Sequence, residues 1–276
     1  MTIVIQCQDR VGLISIISTI LRNADCNIVS MRQHVAADAP LFFARIVTDD
    51  VEIDALSIKE KLTNALPLGA MITVNPPQKK KIVVLVTKEY HCLGDILLRN
   101  NFDNLNAEVV AVVGNYNELS DLTKKFGVPF HYISHENISK DIFEMRLKES
   151  IDKYAPDFIV LAKFMRILSP EFVAHFAKKI INIHHSFLPA FIGANPYKRA
   201  YERGVKLIGA TAHFVTNDLD EGPIITQQVI PVNHTYTAEA MRKAGREIET
   251  STLAEAMQLV FEDRVFVYKN KTVIFK

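Results

Sequence analysis

KIVVLVTKEYHCLGDILLRNNFDNLNAEVVAVVGN, residues 81–115, carries the reading that decides the fold. KIVVLVT is a short β-rich run, CLGDILLRN has helical spacing, and AEVVAVVGN is a second apolar run. The same alternation continues through NELSDLTKKFG (117–127), VPFHYI (128–133), an acid-rich helical stretch ending at Lys153, and DFIVLAKF (157–164). Apolar runs separated by helical segments predict a mainly parallel sheet with helices on both faces. Continuous apolar strands fit burial on both sides. Such sheets bind ligands beyond the carboxyl ends of their strands.

Moving toward the C-terminus, INIHHSFLP (181–189) places an amide, two imidazoles and a hydroxyl in an apolar run. Unsatisfied polar groups are costly there. At the end of a strand, however, they would face a site. Alternate strand residues share a face, so Asn182 and His184 point one way and Ile181 and Ile183 the other. His185 would point away from His184 if the strand continued. HFVTNDLDEGP (213–223) supplies a second polar cluster, with Asp220 in a turn-forming stretch. Amide and imidazole N–H groups can stabilise charge on a carbonyl oxygen. A carboxylate can move protons between water and a leaving nitrogen. Together they suit acyl transfer without a metal. The residues alone leave two other readings open, a hydrogen-bonded structural histidine and a turn-capping aspartate, and they do not reveal the substrate.

Toward the N-terminus, NPPQKKK (75–81) marks a boundary, because two prolines stop regular structure and three lysines favour solvent. We expect a domain at 1–75, a linker at 76–81 and a second domain at 82–276. In the first, TIVIQC is a strand, and LISIISTILRN is a helix with Ile14, Ile17 and Leu21 on its buried stripe. CNIVSMRQHV and LFFARIVT are strands, IDALSIKEKLTNAL a helix and AMITV a last strand. The order βαββαβ predicts a ferredoxin-like sandwich. The expected class is therefore α/β, a ferredoxin-like domain followed by a Rossmann-like one.

Bulk properties narrow the function. The 276 residues are 49% hydrophobic, and 32 basic against 31 acidic side chains leave a net charge of +1. No global field favours nucleic acid. Three widely spaced cysteines form no CxxC pair, which argues against disulfides or a cysteine zinc site. VGLISIISTIL is too short to cross a bilayer and lacks a cleavage signal, so a cytoplasmic protein is expected, with no membrane partner. His131 and His135 flank no HExxH pattern, and no metal is expected. The absence of GxGxxG gives a nicotinamide dehydrogenase little support.

Two resemblances extend these readings. DRVGLISIISTIL, the Asn27-Ile28 pair and LFFARI resemble an ACT domain. That resemblance implies self-association into a homo-oligomer and an amino-acid effector. Gln8 and Cys26 depart from the common Pro and Gly at their positions. DFIVLAKFMRILSPEF, INIHHSFLP and TAHFVTNDLDEGPII resemble the folate-dependent formyltransferase family. The family's Asn-x-His motif matches Asn182 and His184, and its LDxGP aspartate matches Asp220. The resemblance assigns these three to catalysis. It places Arg166, Ile167 and Leu168 on the pterin pocket, largely through backbone groups. His185 and His213 join them as substrate-binding residues, His213 near the carboxylate loop.

The resemblance further implies hydrolysis of 10-formyltetrahydrofolate to formate and tetrahydrofolate, which controls one-carbon units and supplies formate for purine synthesis. The folate is then a substrate, and no cofactor is expected. Transfer to glycinamide ribonucleotide is the rival. It calls for a Gly/Ser-rich phosphate loop after the first strand, where TKEYHCLGDILLRN has one glycine, Gly94, and the acidic Glu89. His185 stands where the transferases carry Pro. HHSFLPAFIGANPYKRA matches the hydrolase form. A non-catalytic folate or amino-acid sensor is the third reading.

Overall fold

The computed structural model describes residues 1–49, 54–76, 78–189 and 196–276. The chain divides into two compact units.

The first unit contains β1 (Thr2–Gln8), α1 (Leu13–Arg22), β2 (Ile28–Val35), β3 (Leu41–Thr48), α2 (Ala55–Ala65) and β4 (Met71–Asn75). Its sheet is antiparallel with order β2-β3-β1-β4, the βαββαβ arrangement expected. Strand β1 alternates strictly, burying Ile3, Ile5 and Cys7 against both helices. On α1 the buried stripe is Leu13, Ile17 and Leu21, while Ile14 is 44% exposed. The predicted stripe was thus off by one residue at its first turn. Leu13, at i−4 from Ile17, keeps the stripe in line, whereas the i−3 position rotates toward solvent. Asp54 caps α2, its carboxylate accepting from the Leu56 N–H at 2.9 Å.

The second unit begins at Lys79. It comprises β5 (Lys80–Val86), α3 (His91–Asn101), β6 (Ala107–Gly114), α4 (Ser120–Lys125), β7 (Phe130–Tyr132), α5 (Lys140–Asp152), β8 (Phe158–Leu161), α6 (Pro170–His175), β9 (Ile180–His184), α7 (Pro196–Arg203), β10 (Leu207–Phe214), β11 (Ile224–Pro231) and the long α8 (Ala238–Phe261). Seven strands lie in the order β11-β10-β9-β8-β5-β6-β7. Strands β5 to β9 pair in parallel, and β10 and β11 close the sheet in antiparallel pairs. Val83, Leu85, Ile159, Leu161 and Ile180 are buried with Phe143, Leu147 and Phe172 from the covering helices. β5 is buried from Ile82 to Val86, as its unbroken apolar run requires.

The observed limits differ from the expected boundary. β5 already includes Lys80 and Lys81, and the Lys81 N–H donates to Asp157 Oδ2 at 2.8 Å. Pro77 of the expected linker lies outside the described residues. The chain ends in a hairpin, β12 (Val265–Tyr268) and β13 (Lys271–Ile274). Its tip, Val267–Thr272, belongs to the second unit, whereas Asp263–Phe266 and Val273–Lys276 belong to the first. There Phe266 packs edge-on against Phe43, with ring centroids 5.5 Å apart.

Candidate active site

The polar stretch ends strand β9. Asn182 and His184 lie two residues apart, while Ile181 and Ile183 occupy the opposite parity and are buried. Antiparallel β10 brings its own polar face alongside, setting Thr211 opposite His184 and His213 opposite Asn182. Directly opposed residues project to the same face. The Asn182 amide nitrogen accordingly lies 3.1 Å from His213 Nε2. His213 Nδ1 lies 3.0 Å from the Phe214 carbonyl oxygen. A carbonyl oxygen only accepts, so Nδ1 carries the proton and Nε2 accepts from Asn182. Burial pushes the His213 pKa down, which favours this neutral ring.

The carboxylate arrives from the loop after β10. Asp220 adopts a left-handed backbone conformation, φ 59°, which a short polar side chain tolerates. Gly222 then passes so close to β10 that a Cβ would stand 1.7 Å from the Phe214 carbonyl oxygen. The Phe214 N–H donates to Pro223 O at 2.9 Å. Asn270 and Thr272, at the hairpin tip, donate to the carbonyls of Glu221 (2.7 Å) and Ile224 (2.6 Å). Held from both sides, Asp220 places Oδ1 3.2 Å from His184 Nδ1 and 3.8 Å from His213 Nε2. Burial raises the Asp220 pKa, but the His184 hydrogen bond and the neighbouring imidazoles outweigh it, and the net shift is downward. The carboxyl group is ionised at neutral pH. His184 Nδ1–H therefore donates to Asp220, and the buried His184 Nε2 has no partner among the described residues.

Asn182, His184 and Asp220 thus meet, and they line a pocket of about 260 Å³. Arg166, Ile167, Leu168, His185 and His213 line it too. Ile167 is exposed, offering apolar surface at the rim, and the Arg166 guanidinium lies 5.7 Å from the Phe143 ring centroid. The turn from β9 into SFLP is fixed by Thr211 Oγ1, which donates to Ser186 O (2.9 Å) and accepts from the Leu188 N–H (3.1 Å). The condition on which His185 would point away from His184, a strand continuing past it, is not met. The strand stops at His184, and the two rings stack with centroids 5.1 Å apart at 26°. Burial, and after it the Lys163 cation, lower the His185 pKa to about 4, so this ring is neutral.

A buried polar group beside the pocket was not foreseen. Glu249 of α8 accepts from His91 Nε2 (2.8 Å), Lys163 Nζ (3.1 Å) and the Tyr197 hydroxyl (2.6 Å). Burial opposes its charge, yet these donors bring its pKa down to about 2. A sequence signal existed. Gly245, Ile248, Thr252, Leu253 and Ala256 form the buried stripe of α8, and Glu249 falls on it where an apolar residue is expected. His91, Cys92 and Glu249 are the described residues whose donor atoms lie close enough to share a metal ion. Lys163 already neutralises that carboxylate, and burial drives the Cys92 thiol pKa up, so it stays protonated. His131 and His135 go separate ways, to the Tyr154 hydroxyl (2.7 Å) and the Asn115 amide (3.3 Å).

The Formyl transferase family model matches residues 80–257, the span that holds the sheet, Asn182, His184 and Asp220. The ACT domain model matches residues 1–62. A formyltetrahydrofolate deformylase of Haemophilus influenzae is 50% identical over 268 residues, covering 97% of this chain and 96% of the relative. The crystal structure of a formyltetrahydrofolate deformylase from Pseudomonas syringae superposes with TM-score 0.95 at 36% identity, covering 100% of this chain and 94% of that one. A glycinamide ribonucleotide transformylase from Symbiobacterium toebii is 30% identical with TM-score 0.69, and it covers 72% of this chain and 95% of its own. The chain belongs to the formyltetrahydrofolate deformylase family.

Proposed function

We propose that the protein hydrolyses 10-formyltetrahydrofolate to formate and tetrahydrofolate, with Asn182, His184 and Asp220 as its catalytic residues. The observation that carries the assignment is His184 Nε2, buried and without a partner among the described residues, beside an Nδ1 that hydrogen-bonds Asp220. In the pocket of about 260 Å³, that nitrogen is the group a formyl oxygen would meet.

The folate enters over Met165, Ile167 and Leu168, with its formyl carbon between Asn182 and His184. The Asp220 carboxylate is ionised, and both of its imidazole contacts fall on Oδ1. Oδ2 accepts the proton of an attacking water. Negative charge then grows on the formyl oxygen. The free N–H of the Asn182 amide donates to it, and a donor lost there costs about 3–4 kcal/mol in the transition state. His184 is held facing the same oxygen by its Nδ1 contact with Asp220. Collapse breaks the bond to the folate nitrogen, which takes the proton relayed by Asp220.

The folate is consumed as substrate, and no metal or nicotinamide takes part. Undiminished turnover after exhaustive chelation is the expected check. The first unit binds an amino-acid effector and mediates self-association, a reading supported by the match to an ACT domain. Among the described residues no helix is long and apolar enough to cross a membrane, and we place the enzyme in the cytoplasm. Formate release from 10-formyltetrahydrofolate without any added acceptor tests the whole proposal. A protein that forms product only when an amine acceptor is supplied would be a transferase, and one that binds folate without turnover a sensor.

A further inference from the structure

Lys163, Met165 and His185 line two cavities at once. One is the folate pocket. The other, of about 500 Å³, is bounded by Glu89, His91, Tyr197, Arg242, Arg246 and Glu249 among others. Among the described residues, the second cavity is a route to the formyl carbon past the side chains the two share. A cavity of that volume is large enough for a small organic acceptor.

The side chains at this junction are not arranged to receive one. An amine acceptor arrives as an ammonium ion, and a carboxylate is the group that would receive it. Glu249 is only 1% exposed, and its oxygens already accept from three donors of the protein itself. Tyr197 comes this close because Gly245 has no side chain; a Cβ there would lie 2.2 Å from the tyrosine ring. Glu89 and Glu239, the other carboxylates lining the cavity, are held by Arg246 at 2.8 Å and Arg242 at 3.6 Å. Lys163 is itself buried, in a left-handed conformation (φ 62°) two residues beyond β8, and it lines both cavities with its ammonium on Glu249. A second cation passing Lys163 would meet a like charge, and like charges close together in a poorly solvated site repel. Neutral water meets no such barrier.

We propose that Lys163, fixed by its ion pair with Glu249, is a specificity-determining residue that bars amine acceptors from the formyl carbon and leaves the attack to water. This inference rests on the hydrolase reading above. The reaction it suppresses is a simple transfer. An amine nitrogen bonds to the formyl carbon, the bond from that carbon to the folate nitrogen breaks, and the amine's proton passes to the folate nitrogen. The products are an N-formyl amine and tetrahydrofolate.

The test uses the full chain, 10-formyltetrahydrofolate and glycinamide as the amine probe, reading the ratio of N-formylglycinamide to formate by mass spectrometry. The double variant Lys163→Met/Glu249→Gln removes both charges together and strands neither. Its ratio is expected to exceed the wild-type value by about tenfold or more, while Lys163→Arg, which keeps the cation, stays at the wild-type value. Lys163→Gln removes the cation alone and is read the same way, so the outcome does not depend on one variant folding. A folded charge-removed variant that still releases formate at an unchanged ratio overturns the proposal. Loss of both products in such a variant also overturns it, because Lys163 would then serve hydrolysis itself. Failure of the wild-type protein to release formate would instead sink the hydrolase reading.

Discussion

Asn182 and His213 stand directly opposite each other on β9 and β10, and the asparagine amide donates to the histidine ring at 3.1 Å. That one bond fixes which way the amide faces. The ring cannot turn over, because its other nitrogen donates to the Phe214 carbonyl. One amide N–H is used, and the other is left for the pocket. In the proposed mechanism His213 positions Asn182, to which it lies closer than to the carboxylate 3.8 Å away. His213→Phe is expected to fold and to lower kcat about tenfold to a hundredfold with a smaller change in KM, as loss of a hydrogen bond that orients a catalytic group does. Steady-state kinetics with a thermal melt check this, and unchanged kcat would remove the role.

Asp220→Asn preserves the shape of the loop. Asparagine tolerates the left-handed backbone, φ 59°, as well as aspartate does. It cannot take a proton from water. Formate release should fall by about a hundredfold to ten-thousandfold while the circular dichroism spectrum is retained. Wild-type-like turnover would exclude Asp220 as the proton-transfer group.

In the proposed mechanism, His184→Ala and Asn182→Ala each delete one group that faces the formyl oxygen. Each should cost about a hundredfold or more in kcat, with folate binding weakened much less. If the two losses multiply in the double variant, the two groups act independently; if the double variant is no worse than either single one, they act as one unit.

Gly222→Ala tests the placement of the carboxylate without touching it. The added methyl would overlap the Phe214 carbonyl oxygen, at 1.7 Å, so the loop must move. We expect a stability loss above about 2 kcal/mol by urea denaturation and a larger fractional loss of turnover. Full activity would show that the loop has slack.

The two neutral histidines make stability depend on pH. His185 has a folded pKa of about 4 against an ordinary 6.5, and burial lowers His213 as well. Between those values the unfolded chain binds protons that the folded chain does not. The contribution is therefore complete above the unfolded value and is lost as the pH falls toward the folded one. For His185 it amounts to about 3 kcal/mol over the whole window. The urea midpoint should drop from pH 7.5 to pH 5, and His185→Phe should flatten that drop. A midpoint equally pH-dependent in the variant would contradict the assignment.

Much of this was legible in the chain. The family resemblance drawn from INIHHSFLP and LDEGP is borne out by the deformylase relatives, and the α/β class by the two sheets. Period-two alternation put Asn182 and His184 on one face. The rule's reach ends there, because alternation holds only while the strand lasts, and β9 ends at His184. AFIGAN, at the centre of the hydrolase-like stretch, lies outside the described residues. The helix α8 and its buried Glu249 went unread, since one carboxylate on an apolar stripe has no meaning until its partners are known.

Sequence by itself determined the βαββαβ order of the first unit, the strand–helix alternation of the second from β5 to β8, and the residue types able to handle a formyl group. Those are local properties, written in spacing and chemistry. Tertiary structure alone decided that Asn182 faces His213, that Asp220 Oδ1 meets His184 Nδ1, and that Lys163, His91 and Tyr197 converge on Glu249. These pairs lie 31, 36, 86, 158 and 52 residues apart in sequence (213 − 182, 220 − 184, 249 − 163, 249 − 91 and 249 − 197). Strand register and helix docking fix such meetings, and both are set by the burial of side chains that themselves carry no chemistry.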